Sequence, residues 1–180
     1  MTRNETSRVA NTSLASLAMD IDPTYPGTII RVALAGESVL NIFFFGLPYI
    51  FSPHSTLRRH FLPESTTNAG AWPSAEASSL MQWLGTPMLA ITAVMLLAIP
   101  NRSGAIEARR IVYILLAVLE AMWIVLVLWQ AWAAGEDASG LRSSALMYYM
   151  AVPMTGWLLF RSWVLFMKPD WMGRYRAKVN

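Results

Sequence analysis

Apolar positions fall into four long runs separated by short polar stretches. The runs go from about Val32 to Phe51, Ala77 to Ile99, Ile111 to Ala134 and Ser144 to Met167. Each supplies about 20 residues of helix, enough to cross a hydrocarbon layer of about 30 Å. Pro100 closes the second run, Arg109-Arg110 precedes the third, and Lys168-Pro169-Asp170 stops the fourth. Pro48, Pro87 and Pro153 lie inside the runs, where neighbouring helices tolerate them. The pattern predicts an all-α integral membrane protein, a four-transmembrane-helix bundle over residues 28–168. A basic tail follows at 169–180. Residues 1–27 are polar, with Arg3, Arg8, Asp20 and Asp22 and no apolar core, so a disordered tail is expected there rather than a cleaved signal peptide. The connection 52–76 is expected to be a structured loop capping the bundle.

Charge orients the bundle. Four spans put both tails and the loop near 100–110 on one side, which carries Arg3, Arg8, Arg31, Arg102, Arg109, Arg110, Lys168, Arg174, Arg176 and Lys178. The other side has Arg58, Arg59 and Arg142. Lys and Arg concentrate on the cytosolic side of membrane proteins, so both termini are expected in the cytosol. The sequons at Asn4, Asn11 and Asn101 would then escape glycosylation. Trp171-Met172-Gly173-Arg174-Tyr175-Arg176 reads as an anchor at the membrane interface, in contact with lipid headgroups. Insertion fits the endoplasmic reticulum of a eukaryote or a bacterial inner membrane.

Composition narrows the chemistry. The chain is 55% hydrophobic and 14% charged, with a mean hydropathy of +0.40. Its pI near 9.5 reflects charges that flank apolar segments, so no nucleic-acid partner is expected. There are no cysteines and two histidines, His54 and His60, both in a loop. Thiolate chemistry is excluded, a histidine-based metal site is poorly supplied, and no cofactor is expected.

Three ionisable residues interrupt the spans: Glu37, Glu120 and Arg161. Charge in hydrocarbon costs a few kcal/mol per group on insertion scales, so each marks a candidate site. Counting ~1.5 Å per residue from the flanking basic residues places Glu37 at ~9 Å, Glu120 at ~15 Å and Arg161 at ~10 Å from the cytosolic face. All three fall in one half of the membrane, on three helices, which predicts a shared interior cluster. Helical spacing adds Asn41 and Phe44 beside Glu37, Met88 and Thr92 on the second span, and Met154 and Trp157 beside Arg161. Trp123 is deep enough on the third span to join them. Together these residues would line a mostly apolar cavity with few polar groups, the usual form of a lipophilic-ligand site.

Two carboxylates and one guanidinium leave one carboxylate without a counter-charge, and low dielectric favours its neutral form. A neutral acid can give a proton to an alkene or epoxide, and the paired carboxylate can take one back. The expected function is therefore acid-catalysed isomerisation or cyclisation of a sterol, terpenoid or prenylated aromatic. Glu120, the deeper carboxylate, is expected as the acid, with Glu37 and Arg161 as its partners. The alternative is a non-catalytic assembly factor, chaperone or subunit, whose buried charges glue helices or bind another membrane protein or a second copy. A transport path would need polar lining through both halves, and the loop-side half has little.

In outline the four short spans and intramembrane acids resemble the emopamil-binding type of sterol isomerase, fungal integral-membrane terpene cyclases and DoxX-like proteins. The resemblance is one of architecture. The histidine-and-acid pattern of the sterol isomerases is missing from these spans, and the cyclases have more helices.

Overall fold

The computed structural model describes residues 20–63, 70 and 72–176. It is mostly helical (81%). Four helices are long and apolar enough to cross a membrane: α1 (Thr28–Phe51), α3 (Ala75–Ala98), α4 (Ala105–Ala134) and α6 (Ser143–Met167). Short helices α2 (Pro53–Thr56) and α5 (Gly135–Ser139) sit in the connections. The expected disordered tail lies outside the described residues for 1–19, as do the sequons at Asn4 and Asn11. Residues 64–69, 71 and 177–180 are likewise outside them.

Helix starts follow local chemistry. Gly27 precedes α1 at φ 72, a left-handed geometry that suits glycine. A Cβ at that position would also stand 2.5 Å from the Met172 carbonyl oxygen. Ser74 caps α3 by accepting from the Ala77 N–H at 3.1 Å. α4 begins at Ala105, so Arg109 and Arg110, expected to precede the third span, lie within its first turns. The helix-favouring residues Ala105, Glu107 and Ala108 extend it beyond the apolar run. Wide π turns interrupt three spans at Asn41–Gly46, Trp129–Ala134 and Leu146–Ala151. The first and third lie just before Pro48 and Pro153, whose missing N–H groups disrupt the regular ladder.

α1 packs on α3, α4 on α6, and α3 touches α4. At the α1–α3 crossing a Cβ on Gly46 would collide with Leu89, and one on Gly85 would stand 2.8 Å from Ile50 Cγ1 and 3.0 Å from Tyr49 Cβ. Small residues let two helices approach where there is no water to drive them together. One core cluster (Ile30, Leu34, Met95, Val112, Tyr113, Val164 and neighbours) draws on all four spans. At the opposite end the core divides into a group around Tyr49 and Met81 and another around Val127 and Leu146.

Both described chain ends meet at the four-span end. Asp20–Ile21 pairs antiparallel with Tyr175–Arg176, a two-stranded addition to the helical plan. The tail folds back: Trp171 packs edge-on against Trp163 at 4.7 Å, and Tyr175 donates its hydroxyl hydrogen to Glu107. At the other end, the loop docks through Arg142 N–H on the Phe61 carbonyl (2.7 Å) and through His54 Nδ1 beside Ser78 Oγ (2.9 Å).

His60 gives this docking a pH dependence. Burial, with Arg59 and Arg142 nearby, holds its imidazole below the ordinary value, and its ring meets Tyr149 at 5.3 Å. A depressed folded-state pKa means the fold prefers the neutral ring. The contribution is present above the unfolded value near 6.5 and is lost as pH falls through the folded value. Hydrogen exchange at the Leu62 and Arg142 amides, corrected for intrinsic rates, is expected to be faster at pH 5 than at pH 7.5. A His60→Phe variant is expected to lose that difference.

Candidate functional site

Glu37, Glu120 and Arg161 come from α1, α4 and α6 and meet inside the bundle. Arg161, 1% exposed, donates from Nη2 to Glu37 Oε1. Its Nη1 stands 2.9 Å from Glu120 Oε1, an ion pair without hydrogen-bond alignment. The guanidinium also lies over two rings, 5.2 Å from the Trp157 centroid and 5.5 Å from that of Tyr113. Cation–π contact suits a desolvated arginine. The helices dictate this arrangement: Trp157 is one turn before Arg161 on α6, and Tyr113 is two turns before Glu120 on α4.

The cluster is incompletely satisfied. Among the described residues, Glu120 Oε2 and both Nε and Nη1 of Arg161 are buried without a hydrogen-bond partner, as is Ser38 Oγ next to Glu37. Orphaned polar atoms are costly in an apolar interior, and they mark sites where a ligand group would be well received. With both carboxylates ionised the triad carries one net negative charge. One proton makes it neutral.

Beside the triad lies an open groove of about 430 Å³, lined by Ala33, Pro153, Gly156, Trp157 and Phe160. Its volume is within the roughly 300–1,000 Å³ of small-molecule sites. One wall is α1, one turn before Glu37, and the other is α6. Trp157 lines the groove and also lies against the Arg161 guanidinium, and Phe160 packs edge-on against it at 5.9 Å.

The other expected lining residues divide. Met154, half-buried, follows Pro153 on α6 but is not among the residues that line the groove. Trp123, also half-buried, follows Glu120 by three residues on α4. Asn41 instead belongs to the α1–α3 seam, where its Nδ2–H points to Met95 Sδ at 3.7 Å. Thr92 is buried in α3 and returns its hydroxyl to the Met88 carbonyl of its own helix at 2.8 Å; Met88 is half-buried. Phe44 is not brought to the cluster. It is 66% exposed on the outer face, within the π turn Asn41–Gly46, which breaks the 3.6-residue spacing that would align it with Glu37.

Two important residues were not singled out by the sequence. Tyr113 shares the Glu120 face at a spacing of seven, a signal that was available. Arg109 counted as a flanking charge, yet it is 0% exposed. It donates to the carbonyls of Ala98 (3.1 Å), Pro26 (3.3 Å), Met172 (2.8 Å) and Ile99 (3.0 Å), and to Asn101 Oδ1. Among the described residues no group of three or more His, Cys, Asp or Glu stands together as a metal site. No protein-family model matches the chain, and no curated protein or solved structure matches it either.

Proposed function

We propose that this is a small multi-pass membrane enzyme that isomerises or cyclises a lipophilic sterol, terpenoid or prenylated aromatic by acid–base chemistry. The observation that carries the reading is the three-helix triad with a buried, unpartnered Glu120 oxygen, joined through Trp157 to an apolar groove. The substrate enters sideways from the lipid between α1 and α6 and lies along Trp157 and Phe160. Glu120 gives the proton. Arg161 fixes both carboxylates and holds Glu37 as the acceptor of the proton released later. Aromatic faces along the path favour developing positive charge. The reaction is neutral in mass and draws on no cofactor in this reading.

Orientation follows from charge. The end that carries the described chain ends holds Arg31, Arg102, Arg109, Arg110, Lys168, Arg174 and Arg176, and is assigned to the cytosol. The endoplasmic reticulum is the proposed membrane in a eukaryotic host.

The test compares lipophilic extracts from a host with no copy, the wild type, and Glu120→Gln, at matched membrane levels. General acid catalysis contributes about 10²–10⁴-fold, so Glu120→Gln is expected to lower a wild-type-dependent product at least 100-fold while keeping the fold. Equal product from wild type and variant would sink the proposal. One observation favours a second reading, that of a non-catalytic assembly factor: Arg161 alone ties carboxylates on two other helices, which is what a purely structural seam requires. Stable co-purification with another membrane protein in mild detergent, with identical extracts in all three strains, would select it.

A further inference from the structure

The triad's unpartnered atoms also say what the substrate must offer. Arg161 Nε is a permanent donor, since a guanidinium has no acceptor. Glu120 Oε2 becomes a second donor when the triad holds the one proton that makes it neutral. Both atoms lie in one cluster that is 1% exposed at Arg161 and 9% at Glu120. Arg161 Nη1, 2.9 Å from Glu120 Oε1 but not aligned to it, is a further donor without an acceptor. Buried donors left in this way are complementary to an oxygen carrying two lone pairs. A bare alkene offers them nothing.

We infer that the group recognised by this site is an acceptor oxygen, an epoxide or carbonyl on an otherwise apolar molecule, held by the unpartnered N–H groups of Arg161 and the Glu120 carboxyl. This rests on the acid–base reading above and narrows it: the first proton goes to oxygen, not to carbon. For an epoxide the step balances within the triad. The Glu120 O–H bond breaks as an O–H bond forms on the substrate, and a ring C–O bond opens to leave a carbocation. A neighbouring C–H proton then passes to the Glu37 carboxylate as the new C=C forms, giving an allylic alcohol of unchanged mass. The triad ends with its proton on Glu37 instead of Glu120, at the same total charge.

The groove is suited to the rest of such a molecule. Ala33, Pro153, Gly156, Trp157 and Phe160 present only apolar side-chain surface apart from the indole N–H. Ala33 and Gly156 leave width there, and a Cβ on Gly156 would meet nothing within 4 Å.

Binding of a C15 terpene epoxide and of its parent alkene to the purified full-length protein in lipid nanodiscs tests this. The wild type is expected to bind the epoxide at least tenfold more tightly. Glu120→Gln keeps an N–H donor but no transferable proton, so it is expected to retain much of that preference without forming product. Glu120→Met removes the donor and leaves the Arg161–Glu37 pair balanced, and its preference is expected to shrink toward that of the alkene. Equal binding of epoxide and alkene by a folded wild type would overturn the inference, even if the Glu120-dependent product of the host experiment persists. A clear epoxide preference abolished in Glu120→Met would support it, even if no host product is found.

Discussion

Arg161→Leu is expected to cost the fold about 3–5 kcal/mol, the range for breaking a buried ion pair by removing one partner. The reason lies in what remains. Glu37 and Glu120, 8% and 9% exposed, would be left with no cation between them. Both would have to be neutralised or drawn toward water, which pulls α1 and α4 away from their places against α6. The variant should elute as aggregate after mild heating in detergent, where the wild type remains monodisperse. A neutral triple variant, Glu37→Gln with Glu120→Gln and Arg161→Met, should recover most of the stability, because well-packed neutral groups often replace buried ions without loss. It should recover none of the activity. A wild-type melting temperature for Arg161→Leu would mean that the three groups are not coupled.

Arg109→Leu is the second large effect, and it acts at one end of the molecule. The arginine fills all five of its N–H positions with acceptors from the segment before α1, the end of α3 and the chain after α6. Arg31 Nε–H adds a bond to the Ile99 carbonyl at 3.0 Å, and Arg102 Nη2 one to Leu97 at 3.1 Å. Three arginines thus satisfy the terminal carbonyls of α3, where positive charge also complements the helix dipole. Removing Arg109 orphans several buried carbonyls at about 1–3 kcal/mol each where water cannot reach them. A net loss of about 3 kcal/mol is expected, with proteolytic cleavage appearing between Lys168 and Arg176. Arg109→Lys, a point charge with three donors, should fall between. Unchanged protease resistance in Arg109→Leu would show that the chain ends are held by other contacts.

Much of the fold was legible because a membrane span is a long-range compositional signal. Four apolar runs of the right length predicted four helices, and the structure moves their boundaries mainly where polar residues extend a helix past the apolar zone, as at Ala105 to Arg110. The meeting of Glu37, Glu120 and Arg161 was legible for a related reason: depth along a helix is arithmetic, and alternating direction brings equal depths together. Rotation about the helix axis was less so. Phe44 was expected on the Glu37 face, but the π turn adds a residue to the local repeat, and nothing in the apolar pattern announces it. Helical spacing and depth put Thr92 and Asn41 in the cavity lining, but neither shows which neighbour the side chain meets. One satisfies its hydroxyl within its own helix, and the other faces a methionine across a tight seam. The role of Arg109 could not be read from sequence, because four of its five acceptors are backbone carbonyls, drawn from three segments of the chain.

The most direct test of the acid–base site is a reconstitution. Purified wild-type protein and Glu120→Gln, each shown to be folded by an unchanged melting profile, would be placed in lipid nanodiscs. Each would be incubated with the lipophilic extract of a host that lacks the protein, with no cofactor added. A compound converted by the wild type to another of the same mass, with the conversion at least 100-fold slower in Glu120→Gln, is the predicted result. Conversion at the same rate by both proteins would contradict Glu120 as the acid. A folded wild type that converts nothing in the extract would contradict the catalytic reading itself.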